Sequence, residues 1–179
     1  MAEEKKTNDY PKYYKEEEAY FPYIDNLNED VNKQVLEAAQ SAIRMFNIPQ
    51  TQDGRELAAS INKVVDEILR TGEFPKEYYD NDITLVAVEL GCLYGYALMM
   101  GYGWQWRKIG KSPDELVFSF AVVSPDDNWV NPCGVYLGKI LTGKNYGIDG
   151  KNDNTCLLVY NMIEDHIKKQ PARKLTVLW

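Results

Sequence analysis

The chain has 179 residues, 45% of them apolar and 26% charged, with a formal net charge of −7 and a pI near 4.8. That length fits one domain, and a folded unit of roughly 150 residues buries about two-thirds of its unfolded surface. The acidic balance argues against nucleic acid as the main partner, because phosphate recognition needs clustered lysine and arginine, and it suits a soluble protein or one whose partner is basic.

Residues 1–24 are read as a flexible N-terminal arm. They mix the run Glu16, Glu17, Glu18 with Tyr10, Tyr13, Tyr14, Tyr20, Phe21 and Tyr23 and show no period. The aromatic part near 20–23 is expected to dock on the body, and 25–179 to form a single α+β domain. The first helix is expected over 27–47, where Val31, Val35, Ala38, Ala39, Ala42, Ile43 and Phe46 recur with helical period. Asn28 is its expected N-cap, with Glu29 and Asp30 in the first turn. A second helix is expected over 53–70, with Leu57, Ile61, Val64, Val65 and Ile68 as its stripe and Gly72 as its terminating glycine.

The stretch 83–100 is apolar nearly all round, and Glu89 is its only charge. Its length approaches the roughly 20 residues of a membrane span. The central carboxylate and the lack of flanking Lys/Arg bias argue instead for the central helix of a core, with no membrane involved. Two strands, 104–109 and 116–123, are expected to form a half-buried antiparallel hairpin spanning about 104–123. Trp104 and Trp106 share one face of it, and Leu116, Phe118, Phe120 and Val122 line one face of the second strand. A loop carries Asp126, Asp127 and Trp129. Two C-terminal helices follow, over 132–142 and 155–169, and 175–179 can add a strand. Helices, then a hairpin, then helices indicate α+β rather than a parallel βαβ sheet.

The three cysteines, Cys92, Cys133 and Cys156, are an odd number, the start of the chain has no apolar leader, and no glycosylation sequon occurs. The expected compartment is a reducing cytoplasm with free thiols. Gly138 to Asn145 approaches the phosphate-binding loop but has Asn145 where a hydroxyl belongs and no preceding strand, so Gly143 reads as a helix cap. The oxygen-rich segment 149–154 fails the spacing of a calcium loop. No cofactor and no metal are expected. Cys133, at a helix start, is where a dipole can lower a thiol pKa, although most free cysteines are small buried hydrophobes. Glu89 is either a pocket carboxylate or half of a structural ion pair with Arg107 or Lys108. Gly91 and Gly95 are spaced to let a neighbouring element approach closely. Trp104 and Trp106 either line a pocket or belong to the core. Trp129, between carboxylates and polar groups, suits recognition of a basic surface as well as packing on the body.

The series Leu90-Gly91, Gly95, Leu98, then Gly103-Trp104 and Trp106, two strands, a proline-led helix with Lys139 and a closing helix resembles small bacterial domains of unknown function. Some of these accompany polymorphic toxins as immunity partners. The likeness covers 83–166 and carries over no catalytic residue; it implies a non-enzymatic protein-binding module. With the net charge, it points to a basic protein as partner, met through Asp126, Asp127 and Trp129. The alternatives are a small-molecule binder or enzyme with Glu89, Trp104, Trp106 and Cys133 around a pocket, and a structural or assembly protein.

Overall fold

A computed structural model describes residues 21–78, 82–143, 155–169 and 175–177, with side chains of the last helix described as far as Asp165. The described elements run in the order β1 (Tyr23–Asn26), α1 (Glu29–Met45), α2 (Gly54–Thr71), α3 (Ile83–Tyr102), β2 (Gln105–Ser112), β3 (Glu115–Val123), β4 (Trp129–Asn131), α4 (Cys133–Leu141), α5 (Cys156–Lys169) and β5 (Thr176–Val177). Among the described residues, five helices and a five-stranded mixed sheet make the fold α+β.

The helix boundaries follow from capping chemistry. Asn28 accepts the Val31 amide at 2.8 Å and starts α1. Asp53 accepts the amides of Arg55 and Glu56 at 2.8 and 2.9 Å and starts α2, which ends at Gly72 with φ +69°. Each such side chain satisfies backbone donors that a helix start leaves open. The start of α5 is capped twice. Thr155 Oγ1 accepts the Leu158 amide at 3.2 Å, and Asn62 Oδ1, from α2, accepts the Leu157 amide at 3.3 Å. Gly143, at φ +67°, follows α4 and donates its amide to the Ile140 carbonyl, as a helix end rather than a phosphate loop.

α3 is the apolar helix of 20 residues that is long enough to cross a membrane by length and composition. Here it is packed inside protein against α1, α2, α4 and β3. Gly91 and Gly95 explain how it is gripped. A Cβ at Gly91 would stand 2.6 Å from the backbone of Gly134 on α4, and one at Gly95 would stand 2.2 Å from the Trp106 ring on β2. The glycine pair therefore admits a helix backbone at one position and an indole at the other.

The sheet order is β1-β2-β3-β4-β5, antiparallel throughout except for the parallel β4–β5 pair. Several expectations change here. The sheet is mixed rather than a small antiparallel hairpin. It begins inside the segment read as an arm, because Tyr23 pairs with Gly110 and Phe21 packs edge-on against Phe118 at 6.0 Å. Docking near 20–23 holds for Phe21 and Tyr23, and residues 1–20 lie outside the described residues. Both sheet faces carry core. Trp104, Trp106, Val122 and Trp129 join the main core with the helices, whereas Ile109, Ala121, Val123, Val130, Phe21 and Leu175 form a second cluster. Phe118 belongs to that second cluster and Phe120 packs against the first, so they do not share a face as alternation predicts. The register explains it: Arg107 pairs with Ala121 but Ile109 pairs with Phe118, so β3 carries one extra residue there. Such a bulge turns the following side chains to the other face.

Candidate binding groove

The residues singled out from the sequence are placed by the fold mostly inside the protein. Trp129 is 3% exposed, with its amide bound to Ser124 Oγ at 3.0 Å. It lies in β4 rather than in a loop and does not reach a partner surface, because alternation along β4 turns its ring into the main core. Asp126 and Asp127 are exposed on the β3–β4 turn. Asp126 is occupied within that turn, where it accepts from Ser124 Oγ at 2.5 Å and from Asn128 Nδ2 at 2.9 Å. Partial burial raises its carboxyl pKa, but the bonds from Ser124 and Asn128 outweigh this and hold it below the usual 3.8. Asp127 takes a left-handed conformation at φ +56°.

Glu89 is 8% exposed and accepts a short hydrogen bond from the hydroxyl of buried Tyr78, which stacks on Phe46 at 5.6 Å. The expected partners are elsewhere: Lys108 pairs with Asp25 at 3.2 Å, and Arg107 bonds to Gln105 and to the Trp106 carbonyl. Burial, and secondly Glu89, push the Tyr78 hydroxyl pKa up, so Tyr78 stays a donor. Cys92, one helical turn on, is pushed up to about 12, by burial first and the Glu89 charge second.

Cys133 does start α4, but burial drives its thiol pKa well above the usual 9.0, overriding any help from the helix dipole. Cys156 is likewise pushed up to about 12 by burial. All three thiols are free and buried. Trp104 and Trp106 are core residues whose indole N–H groups have no hydrogen-bond partner among the described residues. Glu89, Trp104, Trp106 and Cys133 are all buried, at 8, 1, 6 and 0% exposure. Among the described residues no cluster of three or more His, Cys, Asp or Glu side chains is placed to hold a metal ion.

The molecule instead has a groove of about 510 Å³ between α3, α4 and β3. From α3 come Ile83, Thr84, Ala87 and Val88, one helical face at the start of that helix. From α4 come Gly134, Val135, Gly138 and Lys139, the face opposite its buried Cys133, Tyr136, Leu137, Ile140 and Leu141, and Thr142 follows from the cap at its end. The floor is β3 at 117–120. Gly134 and Gly138 keep the α4 wall thin, since a Cβ at Gly138 would lie 3.7 Å from the Ala87 Cβ and one at Gly134 3.6 Å from Val88. Val117 and Val135 are exposed apolar groups at its edge. Among the described residues of the lining Lys139 is the charged one, half-buried, with its ammonium pKa lowered by burial. Thr84, Ser119 and Thr142 add hydroxyls.

Sequence reasoning did not assemble this groove. The legible signal was two glycines four apart, Gly134 and Gly138, beside Lys139 on the outward face of a short helix. No protein-family model, curated protein or solved structure matches this chain.

Proposed function

We propose that the chain is a non-enzymatic binding protein of bacterial immunity type, acting in the cytoplasm on a basic protein partner. The observation that carries this reading is the β3–β4 turn, where two exposed carboxylates stand on a bonded scaffold above buried Trp129. A fixed acidic turn on a chain of net charge −7 suits steering of a cationic surface. The three protonated, buried thiols and the Tyr78–Glu89 pair serve packing rather than chemistry, in keeping with a non-catalytic role. Affinity capture from the native host at low and high salt, with the wild type and Asp127→Lys, tests it. The expected result is a basic protein held by the wild type at low salt, released at high salt and lost with the variant. Equal capture by both baits, or none, refutes this reading.

A second reading, a small-molecule binder, is favoured by the groove. Its volume lies within the roughly 300–1,000 Å³ of ligand pockets, which are walled by apolar groups with a few placed polar ones.

A further inference from the structure

We infer that the outer edge of β3 takes an extended peptide segment of a partner, which lies in the groove as an added strand antiparallel to β3 and sets a basic residue beside Asp114. The inference goes beyond both readings above, because it needs neither the acidic turn nor a small ligand. β3 spans Glu115–Val123 and pairs with β2 along its length, but β4 meets it only at Val122 and Val123. After Asn131 the chain turns into α4, so among the described residues no strand lies opposite 116–121 on that side. The groove lies in that open lane, and its floor is four consecutive residues of β3, 117–120. A sheet face offers alternate residues, whereas a strand edge offers consecutive ones through the main chain. Phe118 turns its ring to the second cluster and still lines the groove, as an edge residue does. An open edge is a template for another chain. The bulge in β3 interrupts the regular run and keeps the added strand short. Val88, Phe120 and Val135 wall the lane and favour apolar side chains at alternate positions of the incoming segment. Continuing the direction of β4 brings the C-terminal end of that segment to the β2–β3 turn. There Asp114 is exposed and makes no ion pair among the described residues, while Glu115 pairs with Lys111 at 3.0 Å. A basic residue at that end meets an open carboxylate. Nothing is asked of Lys139, which is already engaged, or of the Thr142 hydroxyl, which donates to the Gly138 carbonyl at 2.7 Å.

The test is a titration of the full chain with the peptide acetyl-Val-Thr-Val-Thr-Val-Lys-amide, with the same peptide N-methylated at every residue, and with octanol. Binding is read by amide NMR at 117–120. Wild type, Val135→Asp and Asp114→Lys are compared after circular dichroism shows each is folded. The expected result is saturable binding of the parent peptide that moves the amides at 117–120. N-methylation, which keeps the side chains and removes the donors, should weaken it about tenfold or more. Val135→Asp should weaken it comparably, and Asp114→Lys by about twofold to fivefold, the scale of an exposed ion pair. Equal binding of the N-methylated peptide overturns strand addition. Parent-peptide binding that leaves 117–120 unmoved and is indifferent to Val135→Asp overturns the site. Octanol binding without peptide binding overturns this inference and leaves the small-molecule reading standing; no binding of any probe overturns both. The acidic-turn reading is untouched by these outcomes, since no variant alters Asp126 or Asp127.

Discussion

Replacing Gly91 by alanine should destabilise the fold although alanine is the better helix former. The α3–α4 crossing is made backbone to backbone. A Cβ at Gly91 would sit 2.6 Å from both Cα and N of Gly134 and 2.7 Å from the Cys133 carbonyl carbon. Ordinary carbon contacts lie near 3.5–4.0 Å, so α4 must retreat by about 1 Å. The obstacle is main chain, and no rotamer change relieves it. Overpacking of this kind costs about 1–3 kcal/mol, and the backbone obstacle argues for the upper end. Gly to Ala within a helix returns about 1 kcal/mol. The net loss is then about 2 kcal/mol, or roughly 4–8 °C in Tm for a chain of this size. Gly138→Ala is the internal comparison. Its Cβ meets only the Ala87 Cβ at an ordinary 3.7 Å, so the propensity gain should survive and the variant should match or exceed the wild type. Urea unfolding followed by tryptophan fluorescence measures both. A Gly91→Ala protein as stable as the wild type, or a Gly138→Ala protein equally weakened, refutes the backbone contact as the cause.

Tyr78→Phe should cost about 1–3 kcal/mol in urea unfolding, because it leaves a buried Glu89 oxygen without its donor, whereas Glu89→Gln keeps an acceptor and should cost less; the reverse order would sink that account. The Asp126 carboxyl has a folded pKa below its unfolded value, so its contribution to stability is complete above the unfolded pKa and is lost as pH falls through the lowered folded one. Asp126→Ala should accordingly lower Tm near neutral pH by about 1 kcal/mol equivalent, discounted for exposure, and the gap should close near pH 2. A gap independent of pH would assign the effect to something other than the ionised carboxylate. The three thiols, buried and protonated, should resist a disulfide reagent at pH 8 until the protein is unfolded in guanidinium. Prompt stoichiometric labelling of the native protein would contradict their burial.

Local chemistry was readable and non-local pairing was not. Asn28 and Gly72 announced helix ends because capping involves only the next few residues. The Gly91–Gly95 pair announced a close approach because nothing else explains two glycines on an apolar helix. Its partners, Gly134 and Trp106, were invisible, since they depend on which elements meet. The bulge in β3 has no sequence signature here, so alternation misplaced Phe118. Trp129 misled through its neighbours: Asp126 and Asn128 are polar because they build a turn, and one residue later β4 resumes its alternation and buries the ring. Glu89 was recognised as a buried carboxylate, but its donor lies in the short segment before α3, where no periodicity marks Tyr78. The groove escaped because it joins outward faces of two helices that are not sequence neighbours.

Gly134 both touches Gly91 and helps line the groove. The gap between the two jaws is thus gauged by main chain meeting main chain, independently of the side chains that coat it. Val135, Ser119 or Thr84 can be exchanged without resetting that gauge, so the lining can drift while the opening keeps its bore. A library randomised at those three positions on an unaltered Gly91 and Gly134 should retain folded members in most of its diversity.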